Sequence, residues 1–383
     1  MPRRTSRGAR GSRLRSWAAS AALALGAAAS SASGHPLGAQ GGLLLQGIAD
    51  AEFWATDTSS NLLTRNHGHP GGVGRLTLWS AVEPWSGVFV YAEGQAEGGN
   101  ARDDPDDFDA YLDQAGVRYV RSDAFVLDAG KLPSLVGSFA SRRFSTRNPL
   151  IGEPDGYSPQ YPVGLQVSGA SRGFDYRAAV VSLPVSHENY VPDPAAAPRP
   201  AVGFGYTPMV GVRLGVSGTV GPYLNGDFTS QQLAGYGWRH YNERIGSADA
   251  QVSRGYLDVH AEYTLSSYDV PDRPTAIGGA TWYADAQYSL APRLYVAARA
   301  ERNDYPFVRA AGASSWIAST TDFHDDEVGL GVRLTASTLV KASYRFDHWV
   351  ITPANRGFLG PGGHAFAVQV SQAFDVMNWV DRR

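Results

Sequence analysis

Between Leu43 and Phe374, stretch after stretch of the chain alternates apolar and polar side chains residue by residue. The breaks between stretches are rich in Gly, Pro, Asp, Asn and Ser and are alternately very short and long. The short breaks are Glu83-Pro84-Trp85-Ser86, Arg121-Ser122-Asp123, Ser171-Arg172-Gly173, Thr207-Pro208, Ser253-Arg254-Gly255, Ala291-Pro292-Arg293 and Ala336-Ser337-Thr338. The long ones lie near residues 55 to 71, 98 to 109, 132 to 161, 184 to 199, 221 to 244, 269 to 277, 305 to 325 and 351 to 363. Short turns on one side and long loops on the other, interleaved, predict an even-stranded antiparallel sheet of about sixteen strands with both termini on the turn side. If the short stretch Ala201 to Tyr206 is loop, the count falls to fourteen.

A soluble sandwich shares the alternation, so strand length has to separate the two. Tyr256 to Leu265, Thr281 to Leu290 and Leu339 to Trp349 match the ~9 to 11 residues of a tilted membrane strand rather than the ~5 to 6 of soluble sheets. Behind the N-terminal leader no run reaches the roughly eighteen apolar residues of a helical span, which leaves a closed β-barrel as the membrane-crossing option. Val328, Leu330, Val332 and Leu334 share one face of a strand and Glu327, Gly329, Gly331, Arg333 and Thr335 the other. Tyr111, Tyr119, Phe125, Phe174, Trp282, Tyr288, Tyr344, Phe346, Phe366 and Phe374 are assigned to the lipid face, many near strand ends, where interfacial girdles form.

The N-terminus supports export. Arg3, Arg4, Arg7, Arg10, Arg13 and Arg15 precede the apolar run Trp17 to Ala29, which is too short to span a bilayer and is followed by small residues. Residues 1–39 therefore read as a signal peptide, cleaved after Ala39 or after Ala32, and 40–383 as the barrel. Removing those six arginines takes the formal charge from −3 to about −9, with no basic stripe of the kind nucleic acid requires. The chain has no cysteine, so no disulfide and no thiol chemistry support it.

A barrel of about sixteen strands is too wide for its own side chains to fill, so its inward faces line an aqueous lumen. The register places Arg75, Arg118, Arg177, Arg213, Arg299, Arg333, Lys341 and Arg345 inside. With them go Asp50, Glu52, Glu93, Asp128, Asp175, Asp249, Asp258, Glu262, Asp285, Glu301, Glu327 and Asp347. Such a wall is either a set of stiffening ion pairs or segregated ladders that create a transverse field, and the sequence leaves both open. The longest loop, Leu132 to Tyr161, is the expected constriction, through Arg142, Arg143, Arg147, Glu153 and Asp155.

Gly130-Lys131-Leu132-Pro133, Gly137, Arg147-Asn148-Pro149-Leu150 and Tyr161-Pro162-Val163-Gly164-Leu165-Gln166-Val167-Ser168-Gly169 resemble the matching segment of the phosphate-selective-porin-like (porin O/P) outer-membrane family. The likeness covers some forty residues well and the rest as architecture. It implies Arg142, Arg143 and Arg147 as pore-lining residues on an anion pathway. The chain departs from that family in having only two lysines, Lys131 and Lys341, so a lysine trap for phosphate is absent.

Alternative chemistries find little footing. Asp103, Asp104, Asp106, Asp107 and Asp109 crowd one loop without the Gly and terminal Glu of a calcium loop. His67-Gly68-His69 and His324-Asp325-Asp326-Glu327 offer metal ligands but no third one fixed by spacing. Hydrolase, nucleotide and zinc-protease motifs are missing, and Ser186-His187 lies in a Pro-rich loop. His260 between Asp258 and Glu262 on one face reads as a wall hydrogen-bond network. Neither catalysis nor a cofactor or metal is expected.

The expectation is a porin in the broad sense, passing small hydrophilic solutes or ions, with a preference for anions as one option. A non-conducting structural or adhesive barrel is the rival. Outer-membrane lipid, lipopolysaccharide and the insertion machinery are the expected partners, the last reading a terminal strand His364 to Phe374 that closes the barrel. Porins of the resembling kind commonly assemble as trimers.

Overall fold

The computed structural model describes residues 42–60, 62–102, 108–155, 161–182, 197–223, 237–271, 273–306, 322–353, 360 and 362–376. The leader, Asp103 to Asp107, Ser186-His187 and the last seven residues with Trp379 lie outside them.

Sixteen strands are described: β1 Leu44–Thr56, β2 Gly71–Trp85, β3 Val88–Gly98, β4 Asp109–Ser122, β5 Phe125–Lys131, β6 Val163–Ser171, β7 Phe174–Val181 and β8 Arg199–Met209. They continue with β9 Val212–Pro222, β10 Asn242–Arg254, β11 Leu257–Tyr268, β12 Ile277–Ala291, β13 Leu294–Asp304, β14 Phe323–Arg333, β15 Thr338–Trp349 and β16 Gly362–Asp375. Each pairs antiparallel with its chain neighbour, and β1 pairs β16 from Gln46↔Asp375 to Thr56↔Ala365, closing the barrel. Closure leaves no open sheet edge, so each strand has a hydrogen-bonding neighbour on both sides. No described helix is long and apolar enough to cross a membrane.

The stretch weakest in sequence is a full eleven-residue strand, β8, paired on both sides, so the fourteen-strand alternative falls. Its turn is Val210-Gly211, beyond the expected Thr207-Pro208. The ladder is irregular between Tyr206 and Met209, and there Pro208, which has no N–H to donate, fits inside a strand. Gly211 then supplies the positive φ of the turn. The other six connections fall within a residue or two of their expected places.

Alternation sorts the faces as read. Val328, Leu330, Tyr344, Phe366 and Phe174 are exposed on the outside, while Glu327, Lys341, Arg299 and Asp285 are almost fully buried within. Tyr111 departs from the expectation. At Glu93/Gly94 of β3 the pairing with β4 skips a residue, from Gln114 to Leu112, and the inserted Asp113 reverses the parity of the strand beyond it. Tyr111 therefore points inward, where its hydroxyl accepts from Gln95, while Tyr119 on the far side of the bulge stays outside. The bulge also brings Asp113, fully buried, into the lumen.

Among the described residues the interior holds no continuous apolar core. Three small apolar clusters fasten loops to wall: Leu132 and Leu135 on Val181 and Ala201, Leu150 on Tyr295 and Leu339, and Leu63 and Ile151 on Trp54 and Val73. The outer surface, by contrast, is a broad apolar band interrupted near its ends by aromatics such as the stacked Phe174 and Tyr206. Val328 sits at mid-strand on that band. Val328→Arg is expected to destabilise the barrel by about 2–4 kcal/mol in equilibrium unfolding from lipid vesicles. An unchanged midpoint would contradict the outward assignment of this face.

Candidate functional site: the infolded loop and the lumen wall

The segment between β5 and β6 leaves the wall at Leu132, whose N–H donates to Pro162 O at 2.8 Å and ties the two feet of the loop together. From there it crosses the lumen. Its backbone would be unsatisfied away from water, so the wall must supply hydrogen bonds, and it does so with charged side chains. Glu262 accepts from the Ser138 N–H (2.7 Å) and hydroxyl (3.0 Å), and Arg177 donates to Gly137 O (2.7 Å). Glu327 accepts from the N–H groups of Ile151 and Gly152, both at 3.1 Å. Lys341 donates to the carbonyls of Ser145, Asn148 and Leu150 at 2.9, 3.1 and 2.6 Å. Arg299 donates to Gly152 O (2.7 Å) and Asn148 Oδ1 (3.1 Å), and Glu301 accepts from the Asp155 N–H at 2.9 and 3.0 Å. Rings complete the docking: Phe139 stands edge-on to Tyr283 and Phe144 to Trp79.

The three loop arginines have different surroundings. Arg142 reaches Asp285 at 2.9 Å and the Tyr283 hydroxyl at 3.3 Å. Arg143 pairs with Glu93 and lies 3.4 Å from Asp113. Arg147 is exposed and donates to Ser141 O at 3.1 Å, with no carboxylate partner among the described residues. Asp155 pairs with Arg345. Burial pushes the Glu153 carboxyl above the usual range against the pull of Arg75, Arg143 and Arg299. At Asp155 burial pushes the same way, but Arg345 outweighs it and holds the carboxyl low.

Among the described residues, most wall arginines lie in ion pairs rather than in segregated ladders. Arg75 lies between Glu52 (3.4 Å) and Glu97 (3.0 Å), Arg118 meets Asp128 (2.7 Å), and Arg213 bridges Asp175 (2.8 Å) and Asp249 (2.7 Å). Arg299 is 2.6 Å from Asp285, and Arg345 joins Asp325 as well as Asp155. Arg333, on the inward face near the turn end, forms no ion pair among the described residues. Of the two readings left open by sequence, the geometry matches stiffening pairs.

Strand alternation disposes of the His324-to-Glu327 run as one ligand set, because Asp325 and Glu327 point in while His324 and Asp326 point out. Asp155, Glu301 and Asp325 do approach within 4.8 Å of one another, but Arg345 is seated on two of them. His260 Nε2 donates to Asp258 Oδ2 at 3.0 Å, a wall network.

Between the loop and the inward faces of β1 to β4, β15 and β16 lies a cavity of about 540 Å³. Five guanidiniums (Arg65, Arg75, Arg102, Arg143, Arg345) and six carboxylates (Asp50, Glu52, Glu97, Asp113, Glu153, Asp155) line it, so its charge is close to balanced. Sequence reading missed Arg65, Arg102, Glu97 and Asp113. Arg65 and Arg102 lie in loops, Glu97 sits at the loop end of β3, and the bulge hid Asp113.

Hydrogen bonds to charged groups contribute about 1.5–3 kcal/mol each, so loss of the Lys341 ammonium should free the loop. Lys341→Met is expected to speed tryptic cleavage after Arg142, Arg143 or Arg147 by at least about tenfold, with the barrel still folded by heat-modifiable mobility. Equal cleavage rates would remove Lys341 as an anchor.

No family model and no curated protein matches the sequence. Solved structures do match in shape. OmpTdeltaL8, a loop L8 deletion mutant of OmpT, an outer membrane protein of Vibrio cholerae, aligns over 87% of this chain and 99% of its own at 11% identity and a TM-score of 0.55. Salmonella typhi OmpF in complex with daunomycin aligns over 87% and 98% at 13% identity and 0.60. An anion-selective porin from Comamonas acidovorans aligns over 88% and 100% at 11% identity and 0.58. At such identities the likeness is one of fold: the chain is a closed sixteen-strand antiparallel barrel similar in shape to these proteins.

Proposed function

We propose that this protein is an outer-membrane porin through which small hydrophilic solutes and ions diffuse passively, with loop 132–161 as its constriction. The observation that carries the reading is the loop itself, held across a charged lumen by backbone hydrogen bonds to six wall side chains, inside a barrel whose outer face is apolar. A purely structural barrel has no need of a wet, charged interior. The leader 1–39 directs export, the insertion machinery reads β16, and lipopolysaccharide and lipid surround the finished barrel, which assembles as a homotrimer.

The porin O/P resemblance gathers at the feet of the loop, around Lys131-Leu132 and Tyr161-Pro162. Phosphate specificity does not come with it. Lys131 donates to Leu112 O at 2.6 Å and Lys341 holds the loop, so both lysines of the chain serve the scaffold. Arg142 and Arg143 face acids, which leaves Arg147 as the loop arginine whose field reaches the pathway. Charges in a constriction act at short range, whereas those in wide vestibules are damped within about 8 Å at physiological salt.

Refolded protein in planar bilayers is expected to give discrete conductance steps, and persistent silence would favour the structural or adhesive barrel. Arg147→Ser should move the reversal potential across a salt gradient toward cation preference, and Arg142→Ser should not. Equal shifts for the two variants would contradict the division of roles among the loop arginines.

A further inference from the structure

The chemistry of the cavity beside the loop points to a class of permeant. Arg75 is shared by Glu52 and Glu97, Arg102 lies 3.3 Å from Glu97, Arg143 is held by Glu93 and Arg345 by Asp155. A lone anion or cation entering here meets attraction and repulsion from neighbours a few ångströms apart, and it would have to displace a partner already in place. Such an ion gains little.

Aromatic recognition is also pre-empted. The Arg65 guanidinium covers the ring of Trp54 at 4.3 Å, and Arg143 lies over Phe144 at 4.7 Å and Tyr161 at 4.9 Å. What the wall presents is a close alternation of donors and acceptors with nearly balanced charge. A hydroxyl both donates and accepts, so a polyol can bind carboxylate and guanidinium at once without bringing a charge to desolvate. A cavity of about 540 Å³ falls within the range of roughly 300–1,000 Å³ typical of small-molecule sites.

We propose that this cavity transiently holds small neutral polyhydroxylated solutes, sugars of one or two rings, and favours their passage over that of phosphate and other small ions. The inference rests on the porin reading, and its test separates the two. Full-length refolded protein is first shown to give KCl conductance steps, whose absence would refute the porin reading itself. Glucose, sucrose, sodium phosphate and glycine are then added separately, and interruptions of the open-channel current are counted against concentration.

Saturable interruptions by glucose or sucrose are expected, with a half-effect concentration at least about tenfold below those of phosphate and glycine. Gln95→Ala and Glu97→Gln, each verified as folded by heat-modifiable mobility, should weaken the sugar effect several-fold. The proposal is overturned if phosphate or glycine acts at the lower concentration, if neither sugar interrupts the current, or if both variants leave the sugar effect unchanged.

Discussion

A peptide segment docked against the inner wall of a barrel loses water at its docked amides and carbonyls, and long charged side chains that face inward from the wall replace it. Glu262, Glu327 and Glu301 accept from loop N–H groups, while Lys341, Arg299 and Arg177 donate to loop carbonyls. Charge-assisted hydrogen bonds are roughly twice as strong as neutral ones, and a buried acceptor left unpaired is costly. The same six side chains therefore set the position of the loop, and with it the shape of the cavity beside it. Their places follow from period-two alternation in a closed sheet.

That dependence explains the balance of the lumen. Two of the wall bases that hold the loop carry a countercharge of their own, Asp285 for Arg299 and Asp325 for Arg345. Pairs of this kind stiffen the lumen and cancel much of its field at close range. Formal acidity of the chain is thus a poor guide to the potential in the lumen, where Arg147 on the loop and Arg333 near the turns are bases without an ion pair among the described residues.

Much of this was legible beforehand because alternation is strict where one face meets lipid. In β14, Val328 and Leu330 outside and Glu327 inside follow from a single pattern, and a one-residue slip would put charge into hydrocarbon. The inward placement of Lys341 and Glu262 was legible in the same way. What alternation cannot reveal is the bulge at Asp113, since an extra residue reverses the parity beyond it and leaves no mark in composition; strict alternation puts Tyr111 outside for that reason. Pro208 misled in the opposite sense, looking like a turn where the ladder merely skips. Nor could spacing show which loop arginines meet acids, because the partners of Arg142 and Arg143, Asp285 and Glu93, lie 143 and 50 positions away.

The chain has no native cysteine, which allows the position of the loop to be probed with a single thiol. Glu153→Cys places that thiol on the cavity side of the loop. With the protein in a planar bilayer, a small charged methanethiosulfonate should react and lower the conductance of each open step, while a bulky polyethylene-glycol maleimide of several kilodaltons added from either side should react far more slowly. Rapid reaction with the bulky reagent, with the current unchanged, would show that residue 153 lies outside the lumen and would contradict the infolded loop.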